Sequence, residues 1–527
     1  MKPIEAWRFT PEQETGSMHF NSHETRSKST QQSFFVLSVV LAWCSIVVCA
    51  GPLDSVTEKL VTRTNLGGGT ASVYITDLDS GEELADYEGT RAMVPASNMK
   101  ILTSGAALFV LGGEFNFRTE LIIDDTTTPP TLIVRGDGDP ALGDPAIFIG
   151  EEPGITLGTL FDQIGDALKG AGIVEIGQII IDDTVLDRTY THPCWPTDQL
   201  NRWYCAQVGG LNFHTNVINV YTSPAASGGT PNVKLQPDAH WVDLRIKAKS
   251  NSKKRDTAWV ARPTRSNSFT LFGNVGAKSE IPVAIDSPPE FAGLLFATEL
   301  DRRGIQVGPS DGHPRDSVAL IGPSDRYTSS RTVAVITTPL FDVLERTNTD
   351  SYNLYAEALL KRIGNEITSD PGSWENGATV IRMLLTEKIG PGAAETTVVS
   401  DGSGMCRENK VAPKTMTTWM RRLSRSDHWE MFRDSLATPG NGTLRSRFLD
   451  DTLESQLYGK SGYLTGMYAL SGVLVHPRSG QRVAFSIMLN DVKSGATSRN
   501  AKPLIDSIVE KIDEWMGQRA GSGRLGG

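Results

Sequence analysis

The sequence has no excess of positive charge. Lys and Arg number 51 against 61 Asp and Glu, a net charge of −10, which excludes a general nucleic-acid binder. Cysteine is scarce, with five in 527 residues. Cys44 and Cys49 fall in the first 50 residues, so only Cys194, Cys205 and Cys406 serve the rest of the chain. The eight histidines are scattered, and no Cys/His group has the spacing of a metal site. No internal repeat is visible. A nucleophile elbow around Ser403 is excluded, because Asp401 stands where its first glycine belongs. A Walker A loop ending in Gly459-Lys460-Ser461 is excluded as well, because Glu454 replaces the glycine of the phosphate cradle.

Long apolar runs are absent but for Phe34–Ala50. Arg26 and Lys28 precede it, and it ends in Val48-Cys49-Ala50, with small residues at the −3 and −1 places. Residues 1–50 therefore read as a secretory signal cleaved after Ala50, with Met1 or Met18 as its start; an uncleaved membrane anchor is the alternative. An exported chain meets oxidising conditions. The expectation is a Cys194–Cys205 disulfide, closing a loop that holds Trp195 and Pro196, with Cys406 free.

The chain is organised around Pro95-Ala96-Ser97-Asn98-Met99-Lys100. The run Ile101–Leu111 is apolar almost all round and ends in Gly112-Gly113, which predicts a buried helix with a glycine stop. Lys100 is three residues after Ser97, so both lie on one face of the first turn. A serine hydroxyl becomes a nucleophile when a neighbouring base takes its proton, and a lysine one turn away is such a base if its own proton is easily lost.

Before that helix, Ala71–Leu78 and Glu83–Tyr87 flank Asp79-Ser80-Gly81, which predicts a β-hairpin. From 115 to 316 short strands recur between turns rich in Gly, Pro and Asp: Glu120–Asp124, Thr131–Arg135, Gln178–Asp182, Asn216–Thr222, Trp241–Lys247 and Ser268–Gly273. Helices are expected over Leu157–Lys169 and Pro289–Arg303. From Ser317 the pattern turns helical, with helices over Ser351–Ile367 (capped by Asp350 or Ser351), Glu375–Ile389 and Ala412–Arg422. Strands Leu470–His476 and Arg482–Asn490 and a helix Ala501–Gly517 close the fold, followed by a Gly/Arg/Ser-rich tail, 518–527, read as mobile. The fold class is α+β. Residues 51–114 and 317–517 build one antiparallel sheet with helices, interrupted by one or two β-rich domains over 115–316.

Three short motifs accompany Ser97 and Lys100. Ser351-Tyr352-Asn353 opens a helix, Asp401-Gly402-Ser403-Gly404 marks a turn, and Lys460-Ser461-Gly462 opens a strand-like run with Tyr463. In this order, S-x-x-K, S-x-N and K-[ST]-G resemble the penicillin-recognising serine enzymes. The long insertion, Arg135-Gly136-Asp137-Gly138-Asp139-Pro140 and Pro439-Gly440-Asn441-Gly442-Thr443-Leu444 narrow the resemblance. It is to the class C low-molecular-mass penicillin-binding proteins, the D-alanyl-D-alanine carboxypeptidase/endopeptidase family, and it covers roughly Leu53 to Trp515. Ser461 stands where that family usually has Thr.

The resemblance implies a β-lactamase/transpeptidase-like catalytic domain that acts on peptidoglycan stem peptides, takes β-lactams as covalent inhibitors and needs no cofactor or metal. It implies Ser97 as nucleophile, Lys100 as its base and Ser351 as proton relay to the leaving amine. Asn353 would hold Lys100 and the substrate amide. Lys460 and Ser461 would bind the substrate carboxylate in the Lys460-Ser461-Gly462 motif, and the N–H groups of Ser97 and Tyr463 would form the oxyanion hole. It also implies a periplasmic or cell-envelope location. A β-lactamase or esterase on the same site is the alternative enzyme; a wall-binding homologue without activity is the alternative outside enzymes.

Overall fold

The structure is a computed structural model that describes residues 50–148, 156–253, 255–309, 314–322, 330–449, 452–495 and 497–522. The leader, apart from Ala50, and the last five residues of the tail lie outside the described residues. Among the described residues no helix is long and apolar enough to cross a membrane.

The two ends of the chain share one five-stranded antiparallel sheet. Its order is Gln456–Leu464, Met467–Val475, Arg482–Asn490, Thr70–Asp77, Glu83–Tyr87. The first hairpin joins the last strands along its whole length, from Thr70 opposite Asn490 to Asp77 opposite Val483. Both faces of this sheet are covered, and alternation along a strand divides its side chains between two cores. Val483, Phe485, Ile487 and Leu489 face the core under the last helix, Ala501–Ser522, which supplies Ile505, Ile508, Val509 and Ile512. Ala484 and Met488 face the opposite core with the helices Met99–Leu111, Asn353–Thr368, Trp374–Lys388 and Pro413–Leu423. Met99–Leu111 is buried from Met99 to Leu108 and stops at Gly112, whose φ is 80°. Gly105 lets Trp419 approach it: a Cβ there would lie 2.5 Å from the indole nitrogen, which instead donates to the Ile101 carbonyl at 3.1 Å.

The insertion has its own five-stranded sheet, in the order Val318–Leu320, Gln178–Asp182, Thr131–Arg135, Asn116–Asp124, Ser330–Pro339, packed against Leu157–Gly170 and Pro288–Arg302. A smaller unit with a separate core carries the sheet Trp259–Ala261, Phe269–Phe272, Leu244–Ile246 and the sheet Ser279–Ala284, Val217–Ser223, Asn232–Gln236. The Arg135–Pro140 turn joins the insertion to the helix Asn353–Thr368, where Arg362 donates to Asp137 at 2.9 Å, and is held within the insertion by Thr338, which donates to Asp139 at 2.6 Å.

Two expectations are corrected here, and one helix is new. The helical pattern expected from Ser317 begins only at Leu340, because Ser330–Pro339 is a strand of β-branched residues paired with Asn116–Asp124 far upstream in sequence. The helix Asp54–Arg63, which the periodicity did not reveal, buries only Thr57 and Val61. The final helix continues through the expected mobile tail to Ser522.

Candidate active site

Ser97 lies in a single 3-10 turn, Ala96–Asn98, that runs straight into Met99–Leu111. Two motif glycines clamp this turn. A Cβ on Gly404, whose φ is 85°, would lie 1.8 Å from the Ala96 carbonyl oxygen, and a Cβ on Gly462 would lie 2.7 Å from that of Pro95. No other residue type fits so close to backbone. Asn98 ties the turn to the sheet by donating to the Ser471 hydroxyl at 2.6 Å. Ala96 accordingly holds a positive φ of 47°, a conformation the surroundings must enforce.

Lys100 is fully buried. Its Nζ lies 3.2 Å from Ser97 Oγ, 2.7 Å from Asn353 Oδ1 and 2.8 Å from the Ser403 carbonyl. The Asn353 amide is oriented by its NH₂, which donates to the Tyr204 carbonyl at 2.9 Å. Asn353 Oδ1 and the Ser403 carbonyl can only accept. A neutral amine gives its two N–H groups to them and turns its lone pair to the Ser97 hydroxyl. Burial pushes the Lys100 ammonium down to about 7, while Glu357 and Asp401 resist that shift. Burial is thus the main cause, rather than the neighbouring Lys460 charge.

The carbonyl of Ser403 is aimed by two buried acids. Glu357 accepts from the N–H of Gly402 and of Ser403, both at 2.9 Å, and from Trp374 Nε1 at 2.8 Å. Burial, helped by Asp401, pushes its carboxyl up to about 7. Asp401 accepts from the N–H of Gly404 and Cys406, from Asn409 and from Trp195 Nε1. Sequence reasoning missed Glu357, although it stands four residues after Asn353 and so on the same helix face.

Ser351 and Lys460 complete the set. Ser351 has a φ of 63° in the turn between Leu340–Asn348 and Asn353–Thr368. It does not cap the helix; Tyr352 holds the cap position, with no side-chain bond. The Ser351 hydroxyl is left without a hydrogen bond to any described residue. The Pro439–Leu444 turn braces this segment through Thr443, whose N–H donates to the Thr349 carbonyl at 3.0 Å. Lys460 sits mid-strand in Gln456–Leu464 rather than opening a strand. It is fully buried, and its Nζ donates to the Ser461 carbonyl at 3.0 Å. Burial and the Lys100 charge hold its ammonium well below the usual lysine range, against the pull of Asp350. Gln456–Leu464 is the edge of the sheet. Gly459 exchanges both backbone bonds with Ala437 off that edge, so the backbone groups of Ser461 and Tyr463, two and four residues on, point the same way.

The expected Cys194–Cys205 disulfide is corrected. Cys194 pairs with Cys406, 212 residues away, with Cα atoms 5.8 Å apart. Cys205 is a buried free thiol with its sulfur 3.6 Å from that of Met405. The fold, not local spacing, decides the pairing, because it lays the insertion loop on the Asp401–Cys406 turn. Among the described residues the one cluster with metal-ligand potential is His192, Cys194 and Cys406, and its sulfurs are joined in this disulfide.

Comparison with known proteins bears on the whole arrangement. The profile of the D-Ala-D-Ala carboxypeptidase 3 (S13) family matches residues 53–512. The D-alanyl-D-alanine carboxypeptidase of Actinomadura sp. (strain R39) is 28% identical over 489 residues, 88% of this chain and 85% of that protein. The crystal structure of penicillin binding protein 4 from Haemophilus influenzae superposes with a TM-score of 0.70 at 20% identity, over 86% of this chain and 99% of the other. The same Haemophilus protein complexed with a β-lactam gives 0.65 at 20% identity, over 87% and 99%. These structural matches share the mixed helix and sheet fold.

Proposed function

The chain belongs to the D-Ala-D-Ala carboxypeptidase 3 (S13) family, and on that premise we propose that it is a serine-type D-alanyl-D-alanine carboxypeptidase, exported to the cell envelope, that acts through an acyl-enzyme on Ser97 and is acylated by penicillins. The observation that carries this reading is the Lys100 amine, dry, pushed down to about 7 and 3.2 Å from Ser97 Oγ. A free lysine near 10.4 is neutral about once in a few thousand molecules at pH 7; burial makes the neutral form of this one far more populated.

Ser97 Oγ attacks the carbonyl carbon of the penultimate D-alanine as its proton passes to Lys100 Nζ. The oxyanion takes hydrogen bonds from the N–H of Ser97 and of Tyr463, each worth about 3 kcal/mol in the transition state. The C–N bond breaks, and the leaving amine of the terminal D-alanine takes a proton through the Ser351 hydroxyl. Water then hydrolyses the ester. Lys460 and Ser461 hold the terminal carboxylate, and Asn353 positions Lys100. The intact set of Ser97, Lys100, Ser351, Asn353 and Lys460 supports an enzyme over a wall-binding homologue.

The test is an intact mass of the protein lacking residues 1–50 after incubation with a penicillin. The wild type is expected to carry one stoichiometric adduct and to release D-alanine from a diacyl-Lys-D-Ala-D-Ala peptide. Ser97→Ala is expected to do neither. An adduct on Ser97→Ala overturns the nucleophile; rapid turnover of the penicillin by the wild type points instead to a β-lactamase.

A further inference from the structure

The smaller unit of the insertion leaves one face of the sheet Trp259–Ala261, Phe269–Phe272, Leu244–Ile246 open. Val260, Phe269 and Leu271 turn inward to its core, while Trp259, on the opposite face, is 50% exposed. Trp259 and Phe272 are cross-strand partners, and their rings stack with centroids 4.8 Å apart at 18°. The Lys247 ammonium lies 5.5 Å from the Phe272 ring centroid. A tryptophan half in water, stacked on a second ring and beside a cation, marks a contact surface rather than a core.

The charge around this stack opposes that of the chain. Residues 245–255 hold Arg245, Lys247, Lys249, Lys253, Lys254 and Arg255 and no acid, in a chain of net charge −10. Arg245 pairs with Asp243 at 3.2 Å. Lys247, Lys249, Lys253 and Arg255 are exposed and have no ion-pair partner among the described residues. The face is also tied to the site. The Val260 carbonyl accepts from Asn201 at 3.1 Å, and Arg262 donates to the Leu200 carbonyl at 3.2 Å. That same loop continues to Trp203, packed on Tyr352 at 5.0 Å, and to Tyr204, whose carbonyl orients Asn353.

We propose that this aromatic and basic face docks polymeric peptidoglycan: glycan strands whose stem peptides carry free carboxylates. The C–H face of a pyranose ring stacks on the exposed Trp259 ring, and the carboxylates meet the unpaired ammonium and guanidinium groups. The charge complementarity favours an anionic polymer, and the flat ring favours a sugar. The proposal rests on the carboxypeptidase reading for its choice of polymer, and makes the small unit a grip on the strand that feeds the site.

The test uses the protein lacking residues 1–50, with Trp259→Ala and, as a surface variant that leaves the stack intact, the double charge reversal Lys247→Glu, Lys249→Glu. Co-sedimentation with purified insoluble peptidoglycan reads docking. Penicillin uptake and D-alanine release from a soluble peptide read the site. Each variant is expected to bind the polymer roughly five- to tenfold more weakly, with unchanged penicillin uptake and soluble-peptide turnover. Wild-type binding is expected to fall with added salt and to be competed by soluble glycan–peptide fragments. Unchanged sedimentation of both variants overturns the proposal. So does competition by a polyphosphate polymer where the glycan–peptide fragments fail, or equal loss of soluble-peptide turnover. A wild type that sediments but takes up no penicillin would sink the carboxypeptidase reading while leaving the docking face in place.

Discussion

Lys100 stands on a helix and is held by three groups, the Ser97 hydroxyl, the Asn353 amide oxygen and the Ser403 carbonyl. Lys460 stands mid-strand on a sheet edge and is held by one, the carbonyl of the next residue. Both are fully buried, and burial drives both ammonium groups down. The difference lies in what resists. Two buried acids, Glu357 and Asp401, keep Lys100 at about 7, where an amine serves as a base and can be recharged. Lys460 has only Asp350 on its side and the Lys100 charge against it. In the proposed mechanism, one wall is thus prepared for proton transfer before substrate arrives, and the other is completed by the substrate's anion.

The sharpest way to break this comparison is to remove the base. Lys100→Ala is expected to slow acylation by penicillin about 10³- to 10⁴-fold, the upper range for a lost general base. Lys100→Arg is expected to do no better, because a guanidinium stays protonated. In the wild type the acylation rate should fall as pH drops through about 7, since the neutral amine is the reactive form and its proton returns there. Stopped-flow acylation against pH checks the sign; a flat profile from pH 6 to 8 would remove Lys100 from the role.

The Lys100 wall also depends on a covalent tie that the Lys460 wall lacks. Cys194–Cys406 fixes the turn whose Ser403 carbonyl meets Lys100. Cys194→Ser is expected to cost about 2–4 kcal/mol of stability, read as a lower melting temperature that reductant no longer changes. Denatured but unreduced protein lacking residues 1–50 should titrate one thiol, Cys205.

Lys460→Ala is expected to act on binding. Loss of a hydrogen bond to a charged group is worth about 1.5–3 kcal/mol, so KM for a peptide ending in a free carboxylate should rise roughly 10- to 100-fold. A thioester substrate without that carboxylate should be nearly unaffected. Since burial and the Lys100 charge disfavour a charged Lys460, carboxylate binding should draw a proton from buffer, visible in calorimetry as a heat that changes with buffer ionisation enthalpy.

The two walls were unequally legible in the sequence. Ser97 and Lys100 share one turn, so their meeting follows from helical spacing alone. That Asn353 and Lys460 join them rests on the order of the motifs, because no local pattern reports contacts 253 residues apart. Glu357 was hidden for a different reason: a glutamate inside a helix reads as solvated until burial is known. Cysteine pairing failed on the same ground, since proximity in sequence pointed to Cys205 and the fold supplied Cys406. The strand Ser330–Pro339 was lost because its partner lies in another part of the insertion. The terminal strands were found because they are apolar on both faces and bounded by clear turns.

The smallest expected effect separates a side chain from its backbone. Tyr463 is 60% exposed, and its ring meets Tyr468 edge-on at 5.2 Å. Its main-chain N–H shares the sheet edge with Gly459 and is fixed by strand register, not by the ring. Tyr463→Ala should therefore forfeit only the aromatic contact, about 0.5–1.5 kcal/mol of local stability, and change penicillin acylation no more than about threefold, by the usual size of a surface substitution. Replacement of the Tyr463 amide by an ester, through nonsense suppression with the corresponding hydroxy acid, removes the donor and leaves the ring. That change should cost about 3 kcal/mol in the transition state if the N–H meets the oxyanion. A larger loss from Tyr463→Ala than from the ester would place the ring, and not the strand edge, at the reacting carbonyl.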